Sequence, residues 1–423
     1  MKMDCSLQSG HLFKGVKMAE IDYALNTFYL LMTGALVMWM AAGFTMLEAG
    51  FVRRRNTAEI VTKNIGLYSI ACFMYLLCGF LVMYPGANEG GIIPPYDFSF
   101  GSKGQEDFGM NTDLGYADAA DFFFQVVFVA TAVSIVSGAV AERMNQWAFF
   151  ALAAFIAGVI YPIQGFWNWG SGFLNAAGYS DFAGSGTVHL AGAACALGAA
   201  IFIGPRVGKY ANGKVNKLYG ANIPIAALGT FILWLGWFGF NGGSQLAVND
   251  ASNANAVAQV FLNTNMAAGG GVIACLLVSK IFFGKTNIIY ALNGAISGLV
   301  AITAAPDTPT GYEATLIGAI GGLLCYGSLV FLEQVLKIDD PVGAISAHGT
   351  AGIFGVLVVP FTNPEASFGA QALGVVSILV WGFVLTFAFL YALSFITPVR
   401  ASDEIQKKGL DAEEIGVEAY PEF

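Results

Sequence analysis

A chain of 423 residues that is 56% hydrophobic and 11% charged cannot present a water-soluble surface, because soluble domains carry about 25% charged residues. Its apolar residues come in runs of about 20, the length that crosses roughly 30 Å of hydrocarbon, so the composition points to a protein embedded in the lipid bilayer and excludes a soluble enzyme. The net charge of −9 arises in extramembrane stretches such as 411–422, and no basic stripe suits nucleic acid.

Residues 1–24 carry Lys2, His11, Lys14 and Lys17 with no apolar centre, so they read as a short exposed tail rather than a signal peptide. Eleven apolar runs follow, near 25–47, 64–84, 121–141, 147–168, 184–204, 222–243, 255–280, 287–305, 314–335, 344–361 and 370–397. They define an all-α transmembrane domain over 25–397, and a tail of 398–423 closes the chain. The 53 glycines fall inside these runs, where small residues let helices approach closely in lipid. Cys72, Cys78, Cys195, Cys275 and Cys325 lie in spans and Cys5 in the tail, with no disulfide or zinc spacing. They read as small packing residues, and no metal or cofactor is expected.

Lys and Arg mark one side of the membrane. Arg53, Arg54, Arg55 and Lys63 follow the first span, Arg143 the third, and Arg206, Lys209, Lys214 and Lys217 the fifth. Lys280 and Lys285 follow the seventh, Lys337 the ninth, and Arg400, Lys407 and Lys408 the last, while the alternate loops hold only Lys103. The N-terminus is therefore expected outside and the C-terminus in the cytoplasm. Spans one and six share aromatic-glycine patterns, at 39–44 and 234–240, and spans five and ten each hold one His beside small residues. These pairs predict a 5+5 inverted repeat with one added helix.

His189 and His348 sit within spans five and ten, where an ionisable side chain is costly and usually faces a pathway. The competing reading, a neutral His locking two helices, weakens when two occupy matched places. Neither has a second ligand at zinc spacing. Phe124 and Phe128 share a face of span three near its outer end, Trp169 ends span four, and Phe240 and Ser244 end span six. Each alone fits an interfacial aromatic belt. Together they offer π faces and lone pairs, which suit a cation that has only donors to give. Asp181 reads first as a helix-start carboxylate, with a second role in attracting cations. Glu142 and Arg143 read as an interfacial pair or cap.

Several segments resemble the Amt/Mep/Rh ammonium transporters, and the Amt branch in particular. They are Phe-Gln-Val-Val-Phe at 124–128, Ala-Glu-Arg at 141–143 and Asp-Phe-Ala-Gly-Ser-Gly-Thr-Val-His at 181–189. Trp-Phe-Gly-Phe-Asn-Gly-Gly-Ser at 237–244, Ala-His-Gly at 347–349, and Gly-Leu-Asp with Glu-Ala-Tyr in the tail complete the set. The resemblance implies a multi-pass protein of the plasma or inner membrane, a homotrimer with one pore per subunit, and ammonium or ammonia as substrate, with methylammonium an open candidate. It assigns Phe128, Trp169 and Ser244 to an outer recruitment site, Phe128 and Phe240 to a gate, His189 and His348 to the pore, and Asp181 to support of the vestibule. Phe354 falls where a further aromatic is expected. The tail would pack on the cytoplasmic face, its acids meeting Arg53, Arg54, Arg55, Arg206 and Lys209, and would offer a surface to a PII-type regulator.

Three other classes fit these residues less well. A secondary transporter of another small solute would need charged residues deep in the spans, and no buried Lys/Asp couple is visible. An enzyme would need a nucleophile–base set, and none is visible. A transporter-like ammonium sensor would be expected to append a signalling domain, whereas about 25 residues follow the last span.

Overall fold

The structure, a computed structural model, describes residues 5–107, 109–111 and 114–421, with side chains from Met18 onward. Met1–Asp4 at the start of the expected tail, and Glu422 and Phe423 at the C-terminus, lie outside the described residues. Its helices are α1 Cys5–Phe51, α2 Arg54–Met83, α3 Asp118–Val140, α4 Gln146–Ala176, α5 Ser185–Ile203, α6 Ile223–Gly243, α7 Ala251–Phe283, α8 Ile288–Ile302, α9 Gly311–Leu336, α10 Ile345–Thr362 and α11 Phe368–Leu393. All but α8 are long and apolar enough to span a bilayer. The bundle is apolar on its outside, where Phe28, Trp39, Phe73, Phe231, Ile273 and Phe282 are exposed. Lipid is the solvent such a surface requires.

Close helix contacts follow from small residues. On α6, a Cβ at Gly229 would collide with the backbone of Leu47 on α1, so these first helices of the two halves touch backbone to backbone. Helices α5 and α10 cross antiparallel. Gly355 lies against Ser185, Gly352 against the stretch from Ser185 to Leu190, and Gly349 against Ala193. Opposed directions for helices five and ten are what an inverted repeat demands. Helix α11 lies outside, with Gly382 against Ala194 and Gly198 of α5 against Phe383.

Helix α8 has 15 residues, which rise about 22 Å and fall short of the hydrocarbon thickness. The irregular segment after it completes the crossing because its backbone is paired inside the protein. Ala304 O accepts from Phe182 N at 2.8 Å, Thr303 O from Ala183 N at 3.0 Å, and Pro306 O from Asn263 Nδ2 at 2.8 Å.

Two expected boundaries move. The first helix extends back to Cys5 and on to Phe51, so 5–24 continues it. The segment after it, read from its charges as a loop reaching Lys63, becomes helix within α2. Glu59 and Lys63 pair at i,i+4, 3.4 Å apart and buried, which lets a polar stretch enter the bundle. Glu142 and Arg143 do not pair with each other. Glu142 bonds Arg53 and, at 3.1 Å, Arg206, whereas Arg143 donates to the carbonyls of Ala141, Gly204 and Asp339.

The tail lies across the helix ends on the Arg-rich side. Ala401 N bonds Arg143 O at 2.9 Å, and a short helix, α12 Asp403–Lys408, leads to Gly409 at φ +112°. Only glycine fits there, because a Cβ would sit 2.5 Å from Arg55 O as well. Leu410 is fully buried and Asp411 accepts from Glu59 N at 2.9 Å. Glu414 accepts from Gln146 N at 2.8 Å. The tail acids thus cap helix starts rather than meet the basic residues, as helix N-termini favour. Arg206 is taken by Asp339, Lys209 by Glu333 and Arg53 by Glu142; Arg55 bonds the Lys407 carbonyl.

Candidate functional site

A vestibule of about 480 Å³ opens at the ends of α3, α4 and α6, and its lining includes Phe128, Trp169, Asp181 and Ser244. Four residues far apart in sequence therefore meet in one cavity. Ser244 Oγ donates to Phe240 O at 2.8 Å, as a hydroxyl at the last turn of a helix commonly does. That bond leaves the oxygen's lone pairs as acceptors. Trp169 Nε1 donates to Asp181 O at 3.0 Å, fixing the indole and freeing its face.

Beneath the vestibule the rings form a continuous column. Phe128 meets Trp169 edge to face at 6.2 Å between centroids and Phe240 at 4.2 Å. Phe240 lies 5.2 Å from the His189 ring, tilted by 26°, and His189 lies 5.2 Å from His348. The two imidazoles face each other with Nδ1 to Nδ1 at 3.2 Å. One ring must donate and the other accept for that bond to form. Trp237 backs His189 at 4.9 Å and is held by its own bond to Thr303 Oγ1 at 2.8 Å. Phe44 of α1 follows at 6.0 Å from His348.

Local sequence explains the histidine positions. Both lie in widened turns, Ser185–Leu190 and Ile345–Thr350, that open α5 and α10. Such turns recur at functional sites because they release backbone groups and re-aim side chains.

The chain matches the Ammonium Transporter Family over residues 28–420. The chain belongs to the ammonium transporter family. Amt2 of Archaeoglobus fulgidus, an ammonium transporter, is 35% identical over 93% of this chain and 88% of its own length. A Synechocystis sp. protein carrying a provisional ammonium-transporter name is 40% identical over 94% of this chain and 90% of its own. Among solved structures, a sensor Amt protein superposes with a TM-score of 0.87 at 36% identity, covering 93% of this chain and 99% of that one.

In this member of the ammonium transporter family Asp181 has a matched partner that sequence reading missed. Asp181 Oδ2 accepts from Gly186 N at 3.0 Å, Thr187 N at 2.7 Å, and the hydroxyls of Thr187 and Tyr179 at 2.8 and 3.3 Å. Burial pushes its carboxyl up, and these donors pull against that. Asp340 accepts in the same way from Ala344 N at 3.0 Å and Ile345 N at 2.7 Å. Each Asp precedes its His by the same spacing, Asp181 to His189 and Asp340 to His348, a signal that was open to sequence reading. Asp340 lines a second cavity of about 270 Å³ with Arg206, Lys209 and Asp339. Phe354 stands away from the column, packed against a cluster that includes Ala267, Ala301 and Ile317.

The spans also hold charges that the sequence reading placed elsewhere. Glu48, Glu59 and Lys63 are buried in α1 and α2, and where no Lys/Asp couple was expected the bundle holds a buried Lys63–Glu59 couple. Their polarity had shortened both apolar runs. Inside the bundle Lys63 pairs with Glu59, and one oxygen of Glu48 accepts from Ser137 and Asn64.

Proposed function

We propose that this chain carries ammonium across the membrane by splitting it into ammonia and a proton. The reading is supported above all by the unbroken column from Trp169 through Phe128 and Phe240 to the facing imidazoles 3.2 Å apart. Trp169, Phe128 and Ser244 recruit the cation with π faces and a hydroxyl oxygen, and Asp181 holds the vestibule in shape. Phe128 and Phe240, both buried, form a gate that a hydrated ion cannot pass without movement of the rings. A full charge in hydrocarbon costs about 2.5 kcal/mol or more, a penalty that neutral ammonia escapes. Potassium resembles ammonium in charge and cannot shed a proton, so a dry passage rejects it. His189 and His348 line the passage and relay the released proton, each ring able to donate at one nitrogen and accept at the other. Net uptake is then electrogenic.

In the cell the protein lies in the plasma or inner membrane with its N-terminus outside and its tail in the cytoplasm. It acts as a homotrimer, and its docked tail offers a surface to a PII-type regulator. The outer tail of 1–24 runs as helix from Cys5 into the transport domain of 25–397, and 398–423 serve as the inner tail.

Current recording from proteoliposomes given ammonium, methylammonium and potassium pulses in turn is the decisive experiment. A current with ammonium and none with potassium is expected. A sensing role has its own support in the sensor Amt protein among the structural neighbours. Ammonium binding without any flux would favour it and refute transport.

A further inference from the structure

Beyond His348 the passage narrows to a cavity of about 20 Å³ enclosed by Phe44, Glu48, Ser134, Asn293, Ala347, His348 and their neighbours. That space admits one molecule the size of water or ammonia. Glu48 is 1% exposed and held from one side only. Its Oε2 accepts from Ser137 Oγ at 2.7 Å and Asn64 Nδ2 at 3.4 Å, whereas Oε1 has no hydrogen-bond partner among the described residues. An unpaired buried carboxylate oxygen is costly as mere structure. The titratable groups around it are few. Helix α2 brings Lys63, which bonds Ser137 O at 3.4 Å, and Glu59, the ion-pair partner of Lys63. Helix α10 brings His348, while α3 and α8 bring only Ser134, Ser137 and Asn293. Asn293 and Val342 line both this cavity and the larger one that holds Arg206 and Asp339. Glu48 therefore stands between the histidine pair and the inner mouth.

We infer that Glu48 is the proton donor that turns ammonia back into ammonium at the inner end of the passage. This step rests on the proton-splitting reading given above. Ammonia arriving past His348 takes the proton of the Glu48 carboxyl. The O–H bond breaks, an N–H bond forms, and ammonium leaves through the cavity lined by Arg206 and Asp339. The carboxylate regains a proton from the relay, the one that ammonium gave up outside and that His189 passed to His348. One ammonium enters and one leaves, with no other reactant.

The test uses the full chain in proteoliposomes. Absence of an ammonium-evoked current in the unaltered protein would refute proton splitting itself, before Glu48 is in question. With that current present, Glu48→Gln should lower it roughly ten-fold or more, in keeping with loss of a general acid, and Glu48→Asp should restore part of it. Gln keeps the size and the bond from Ser137, so a purely structural Glu48 would leave the current unchanged, and that result overturns the assignment. If Glu48→Gln fails to fold, infrared difference spectra of the unaltered protein decide. Ammonium perfusion should deplete a protonated-carboxyl band, and Ser137→Ala should shift that band. A spectrum without depletion, or a band indifferent to Ser137, overturns the assignment as well.

Discussion

At Trp169 the indole N–H is already committed to the Asp181 carbonyl, which leaves the ring face as the part able to meet a cation. A cation–π contact contributes about 0.5–1 kcal/mol when exposed and about 2 when desolvated. Trp169→Leu should therefore raise the half-saturating ammonium concentration between about two-fold and about thirty-fold, read from current against concentration. An unchanged value would leave Trp169 as an interfacial anchor. For the histidines, His189→Ala or His348→Ala opens space beside the remaining ring and admits water, so the protein should fold but pass less ammonium or lose its exclusion of potassium. Currents with both ions in both variants check this, and full selectivity in each would remove the relay. Asp340 supplies a pH test. Burial raises its carboxyl to about 6, against the pull of the Ile345 and Ala344 amides. The ordinary value is about 3.9, so between the two the folded state binds the proton better and stability falls as pH rises. Relative to Asp340→Asn, the unaltered protein should lose thermal stability across that window, and parallel melting curves would contradict it.

Helices are the scale at which most of the architecture was legible. Each span is an apolar run bounded by charge, and the Arg and Lys placement followed the alternation that short loops obey. What escaped was polar residue pairing in three dimensions. Glu48, Glu59 and Lys63 interrupt apolar runs in sequence, yet the i,i+4 pair and the bonds from Ser137 and Asn64 bring them inside. The vestibule residues were legible one by one, because topology sends the ends of α3, α4 and α6 to the same side. Their tilts and spacings, such as 4.2 Å between Phe128 and Phe240, depend on packing that no single run encodes. Helix contacts yield a sharper prediction. Gly229→Leu places a branched side chain where the α1 backbone passes, and overpacking of this kind costs about 1–3 kcal/mol or more. The expected outcome is a large loss of monodisperse protein in detergent by size-exclusion chromatography. A normal yield would mean that α1 and α6 can separate.

Over the whole molecule, the tail ties the last residues to the second helix. Leu410 is buried beside Asn56, whose side chain accepts its backbone N–H at 3.0 Å, and truncating a buried Leu to Ala costs about 2–5 kcal/mol. Leu410→Ala, or deletion from Gly409 onward, should release the tail and lower transport while the amount of protein in the membrane stays the same. Flux assays beside membrane-protein yields test both, and full activity in the deletion would make the tail a passive end. The contact between Asp411 and the start of α2 also sets an order of events during synthesis. The Glu59 amide at the second helix enters the membrane early, but the carboxylate that accepts from it is made 352 residues later. Maturation of this face must therefore wait until Asp411 emerges, and a nascent protein stalled just short of it would sit inserted yet unlatched.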